Sequence, residues 1–188
     1  MGNAPAPLQT EIQQYMGITD AQFNMYFSVK FLASLFPPLV LAVMMDKLSL
    51  RPLLLTLSFT CALGQMFYAM GLNDRDQMLC LLGRFFIGIS DSLTIFQQSL
   101  MCIWFTAGQL PFAFGCLLFM QKIVRTSNDN VASMFYEATA GELEEGEVSA
   151  NSLVMYAWIG FAVCVFSALC SLLLGEIHES VIDSETNN

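Results

Sequence analysis

The sequence predicts an all-α, polytopic membrane bundle with about five transmembrane helices. Three observations carry that expectation. Charged residues make up only 12% of the 188 and hydrophobic residues 55%, against roughly 25% charged in a soluble domain. Mean hydropathy is +0.57. The acids are also clustered: of 16, six lie between Asp129 and Glu147 and four between Glu176 and Glu185. The rest is almost uncharged, the pattern of apolar spans joined by polar segments. Strands are not expected, because the apolar runs are continuous rather than alternating.

A bilayer core takes about 20 apolar residues as a helix, and the spans follow from that length. Residues 1–22 have no basic start followed by an apolar run, so they do not read as a signal peptide. They are expected to form a separate N-terminal segment, irregular at Pro5 and Pro7, with a short helical stub over Gln9 to Met16. Thr19 or Asp20 is placed to cap the first span. That span, 23–45, is apolar except for Lys30. The second, 52–72, has no charge. The third, 78–105, holds Arg84 and Asp91. The fourth, 107–125, is shorter in its apolar run and holds Lys122. Residues 126–150 read as an acidic solvated loop containing Gly141 and Gly146. The fifth span, 152–175, is again uncharged, and 176–188 reads as an acidic, disordered tail.

Several function classes drop out. A net charge of -9 and the lack of a basic stripe argue against nucleic acid, which needs clustered Lys and Arg. All six cysteines fall in or beside apolar spans with no metal-ligand spacing, so they read as small buried hydrophobes. His178 stands alone as the one histidine. There is no phosphate-binding loop, no dinucleotide glycine fingerprint and no Ser/His/Asp set. No metal, cofactor or enzymatic chemistry is expected.

The informative residues are the charges inside spans, each costing roughly 2.5–3.5 kcal/mol at a helix centre on insertion scales. Lys30 and Arg84 are long enough to snorkel to the surface. Asp91 is too short, and lies near the midplane. It reads either as a structural carboxylate paired with a neighbouring cation or as part of a ligand or ion site. Arg84, Asp91 and Gln98 are seven residues apart and stack on one face of a continuous helix. Gly83, Gly88, Ser90 and Ser92 thin that helix and admit a close neighbour. Lys122, on the next span, is placed to pair with Asp91 or to hold the other end of a zwitterion. In the last span, Gly160, Cys164, Ser167 and Ser171 form a small-residue packing face.

Particular stretches resemble a known family. Residues 42–51, AVMMDKLSLR, resemble the cytoplasmic loop signature of the major facilitator superfamily, with Asp46, Lys47 and Arg51 in the signature positions. Residues 83–93, GRFFIGISDSL, resemble the fourth helix of the branch containing lysosomal dipeptide carriers. Further matches fall at Gln97, Trp104–Phe105, Phe114–Gly115 and along Asn3 to Thr10. The match corresponds to helices two to six of that fold, a partial N-terminal half.

The resemblance implies a facilitator-type carrier of dipeptides or amino-acid-like zwitterions, working by alternating access as a uniporter in a lysosomal or other endomembrane. By that likeness Asp91 and Lys122 would engage the ligand's two termini. Gln98 would take a family Asn position and Lys30 the place of an aromatic. The polar stripe itself puts Arg84 where it would shape the cavity mouth or support Asp91. Asp46, Lys47, Arg51 and the 176–188 tail would be cytoplasmic, and the 1–22 segment and the 126–150 loop lumenal. No Asn-x-Ser/Thr sequon lies in the lumenal segments, so glycan protection would come from an accessory glycoprotein. The remaining wall of the path would come from a second transporter half. The competing expectation is a non-transporting structural subunit of a larger membrane complex.

Overall fold

The computed structural model describes residues 8–40, 50–140 and 150–186. Helix α1 (Gln9–Met16) ends on Gly17 in the left-handed conformation, φ 64°, which glycine adopts without a Cβ clash. Helix α2 (Asp20–Leu35) starts with a capping box: the Gln22 N–H donates to Thr19 Oγ1, and the Thr19 N–H to Gln22 Oε1. Two orphan donors are thereby satisfied, so the chain commits to a helix at Thr19. The helix stops before Pro37, although residues 37–40 are again helical. The remainder of the expected first span, with Asp46 and Lys47, lies outside the described residues.

Helix α3 (Leu50–Asp74) and helix α4 (Gln77–Ser90) form an antiparallel hairpin closed by Asp76, whose carboxylate accepts the Met78 N–H at 2.9 Å. Arg75 takes φ 55° in the turn, and its guanidinium lies over the Tyr15 ring at 4.3 Å. That contact ties α1 to the hairpin. Then follow α5 (Leu93–Trp104), α6 (Leu110–Ala140) and α7 (Ala150–Thr186). The hairpin is the centre: α3 packs on α4 and α7, and α4 packs on α2. Among the described residues three helical stretches are long and apolar enough to cross a membrane: Pro52–Asp74, Gln77–Trp104 and Asn151–Leu173. Large apolar side chains on their outer faces, such as Phe59 and Phe166, are exposed. In a multi-pass membrane protein those faces meet lipid.

Glycines set the closeness of the hairpin. A Cβ on Gly83 would lie 2.6 Å from the Tyr68 backbone nitrogen and 2.7 Å from the Gly64 carbonyl oxygen. Gly64 in turn faces the Gly83 oxygen and Ile87 nitrogen, both at 2.9 Å. Dispersion across bare backbone substitutes for the hydrophobic drive that lipid does not supply. The small face of α7 behaves as its composition suggests. Gly160 abuts the Gln65 amide, Cys164 meets Cys61, and Ser171 bonds Ser58 across the α3 interface. Ser167 is exposed.

Three expectations are corrected. Residues 126–140 are not loop: α6 runs unbroken to Ala140. Val131, Ala132, Phe135 and Tyr136 recur at helical spacing, Ala132 is fully buried, and the Phe135 ring packs 6.1 Å from Tyr156. The Tyr156 hydroxyl donates to Asn128 Oδ1 at 3.2 Å. A modest apolar stripe therefore outweighs the polar composition. The acidic stretch 141–149 lies outside the described residues. Likewise 176–186 is helical, continuing α7. Thr106 to Gln109, read as the opening of the fourth span, is a turn, and the helix starts at Leu110.

The glycine contacts give a test. Gly83→Val should destabilise the bundle by about 1–3 kcal/mol, the usual scale of overpacking. Gly115→Ala, with nothing within 4 Å of the added carbon, should unfold at equal or higher denaturant. Equilibrium unfolding in mixed micelles separates the two.

Candidate functional site

The site is built where α4 gives way to α5. The Ser90 hydroxyl turns back to the Ile87 carbonyl at 2.8 Å, a bond that bends helices. The Asp91 N–H is shared between the carbonyls of Ile87 at 3.1 Å and Gly88 at 3.3 Å. The N–H groups of Ser92 and Thr94 then reach only three residues back, to Ile89 and Asp91. The helix tightens into a short turn there, and α5 leaves in a new register.

Asp91 sits at that break. Its Oδ2 lies 2.9 Å from Nζ of Lys30 on α2. Lys30 is 5% exposed, while the Asp91 side chain keeps 39% of its surface open. Gly88 makes the pairing possible. A Cβ there would run into the Lys30 carbonyl oxygen and, at 2.8 Å, into Ala33 Cβ. The bare glycine lets α2 come down on α4 at the level where lysine meets aspartate.

Asp91 faces a polar cavity of about 630 Å³. Lys30, Cys61 and Ser90 line it from α2, α3 and α4; Thr94 and Gln97 from α5; Gln121 and Arg125 from α6. A second cavity of about 610 Å³ lies between α3 and α7 and is lined almost wholly by apolar side chains, among them Phe59, Leu63 and Phe161. It offers no polar group to orient a ligand, so the first is the candidate site.

The expected site residues are only partly brought together. Lys30 and Asp91 share the cavity, but Lys30 does not snorkel: it is buried against Asp91. Lys122 is exposed and does not line the cavity. On α6 the lining face is Leu117, Gln121, Val124 and Arg125, and Lys122 is turned about 100° from Gln121. Gln98 is also off the cavity, because the break at Asp91 ends the seven-residue register and α5 presents Thr94 and Gln97 instead.

Arg84 neither snorkels nor lines the mouth. It is 2% exposed and lies about 10 Å further along α4, with its guanidinium 4.4 Å from the Tyr68 ring centre. That cation–π contact accounts for its burial. The side chain of Arg51, like Asp46 and Lys47, is outside the described residues. Arg125, Gln97 and Gln121 were missed as site residues. A helical wheel of α6 shows Gln121 and Arg125 four apart on one face, but nothing local says which face turns to Asp91.

No protein-family model matches the chain. Curated proteins do. The lysosomal dipeptide transporter MFSD1 of Mus musculus is 30% identical over 178 residues, covering 90% of this chain and 37% of the mouse protein. The Homo sapiens protein of that name is 28% identical over 181 residues, 93% of this chain and 38% of its own. The one from Danio rerio is 27% identical over 173 residues, 91% and 37%. This chain is a relative of the MFSD1 transporters. Its fold is a partial major-facilitator bundle, and it spans less than two fifths of the length of the MFSD1 proteins it matches. The likeness covers nearly all of the chain, as motif matches from Asn3 to Gly115 anticipate.

The ion pair yields a stability test. Asp91→Asn strands the Lys30 ammonium in a buried site and should cost about 1–3 kcal/mol, less than a fully buried pair because Asp91 is partly open. Adding Lys30→Met should restore most of that loss. Additive losses in the double variant, measured by denaturant unfolding, would show that the two side chains are not coupled.

Proposed function

We propose that this chain forms part of a carrier for dipeptides or similar small zwitterions in a lysosomal or other endomembrane, and that the cavity at the α4–α5 break is its binding site. The observation that carries this reading is a midplane carboxylate held by a buried lysine yet left partly open to a polar cavity that also contains Arg125. That the relatives are named dipeptide transporters supports the substrate class.

The chemistry follows from charge placement. A carboxylate has two oxygens and about four lone-pair sites. Lys30 takes one direction at Asp91 Oδ2, and the open side accepts the ligand's ammonium group. Arg125 offers the ligand's carboxylate a planar, bidentate fork, replacing Lys122 in the role the sequence suggests. Gln97 and Gln121 supply donors and acceptors for the peptide unit between them. Because Asp91 is shared with Lys30, its hold on the ammonium is weakened, which favours the reversible binding a carrier needs. Alternating access would come from rocking of this bundle against a second set of helices around the site. In the membrane, residues 46–49, between α2 and α3, would face the cytoplasm, and residues 141–149, between α6 and α7, the lumen.

Binding to the chain in lipid nanodiscs tests this. Labelled dialanine should bind, and N-acetylation or C-terminal amidation should each weaken it by about tenfold or more, the usual scale for leaving a buried charge unmatched. Arg125→Gln should remove the discrimination against the amide, and Lys122→Gln should leave binding unchanged. A folded chain that binds neither dialanine nor any charged dipeptide would contradict the proposal and favour a structural subunit.

A further inference from the structure

The α3–α7 interface carries two thiols in contact. Ser58, Cys61 and Gln65 recur at helical spacing on α3 and present one face to α7. The Ser58 hydroxyl donates to Ser171 Oγ at 2.9 Å. On the other side of the pair, the Gln65 amide reaches the Ala157 carbonyl at 3.4 Å and packs on Gly160. Between these two anchors the sulfurs of Cys61 and Cys164 stand 3.9 Å apart, on residues 103 positions apart in sequence. No packing rule requires two cysteines to meet there; one small residue on either helix would fill the space.

The two differ in access. Cys61 lines the polar cavity that holds Lys30 and Asp91, which gives a small neutral solute a route to that residue. Cys164 is 4% exposed and lies behind it.

We propose that Cys61 and Cys164 form an oxidisable dithiol whose co-reactant is hydrogen peroxide reaching Cys61 through the polar cavity. The Cys61 thiolate attacks one peroxide oxygen, the O–O bond breaks, and the departing hydroxide leaves as water with the proton Cys61 gave up. The product is a sulfenic acid on Cys61. The Cys164 sulfur attacks the Cys61 sulfur, and its proton leaves with the hydroxyl as a second water. Two thiols lose two electrons to one peroxide, which becomes two waters. The sulfurs close by roughly 2 Å to disulfide length. The bond staples α7 to the central hairpin and links two parts of the chain that are far apart in sequence. This inference does not depend on the dipeptide reading, because it needs only the cavity and the two sulfurs.

The experiment treats the full chain in lipid nanodiscs with hydrogen peroxide, quenches with catalase, alkylates remaining thiols and maps the peptides by mass. The expected result is joint loss of the Cys61 and Cys164 thiols as one cross-linked peptide within a single chain, returned to two thiols by dithiothreitol. In Cys164→Ser, Cys61 should accumulate as a sulfenic acid that dimedone traps; in Cys61→Ser, Cys164 should stay alkylatable. Mapping of the wild-type chain decides the matter even where a variant folds poorly. If both cysteines remain alkylatable while the exposed Cys102 is oxidised, the proposal fails. It also fails if Cys61 proceeds to sulfinic acid with Cys164 untouched.

Discussion

A lysine side chain at the level of a membrane midplane needs an anion, and the crossing of α2 over α4 is arranged around that need. Leaving Lys30 alone in hydrocarbon would cost roughly 2.5–3.5 kcal/mol on insertion scales. Asp91, on a helix that has lost its regular hydrogen bonding, supplies the counter-charge at 2.9 Å. The two helices approach this closely because Gly88 has no side chain to hold them apart. Glycine, lysine and aspartate are thus one device: contact distance, charge and partner are each useless without the other two.

The rest of the site is a consequence. With the α4 ladder broken at Ser90 and Asp91, α5 sets off in a different register and turns Thr94 and Gln97, rather than Gln98, toward the cavity. Helix α6 closes the opposite wall with Gln121 and Arg125. Arg84, two turns earlier on α4, is removed from the cavity and settled on the Tyr68 ring. The charged groups that line the cavity are of opposite sign on different helices, an arrangement suited to a ligand carrying both signs.

Much of this was legible in the sequence, and the misses have physical causes. Apolar run length located the cores of α3, α4, α5 and α7, because span length is fixed by bilayer thickness. Of the two capping residues the sequence offers, Thr19 and Asp20, Thr19 caps α2. Gly83 and Gly88 were readable as points of close approach, since small residues have few other uses in a membrane helix. Reading failed wherever a tertiary fact was needed. Seven-residue spacing put Arg84, Asp91 and Gln98 on one face only if the helix stayed intact, and the Ser90 back-bond breaks it. Lys122 and Arg125 are both cations on α6, and local sequence does not say which way that helix is rotated. The 126–140 segment looked like loop because its polar content hid a narrow stripe that finds its partner only on α7. Lys30 looked able to snorkel because its partner is 61 positions away in sequence.

The Lys30–Asp91 pair can be observed directly. The chain has three lysines, Lys30, Lys47 and Lys122, so labelling lysine side-chain nitrogens with ¹⁵N gives a spectrum simple enough to assign by substitution. A buried, ion-paired ammonium exchanges its protons slowly and gives a persistent signal. The structure predicts such a signal from Lys30, abolished by Lys30→Met and lost to rapid exchange in Asp91→Asn. A Lys30 ammonium that already exchanges as fast as that of the exposed Lys122, or that keeps its slow exchange after Asp91→Asn, would contradict the pairing on which the site is built.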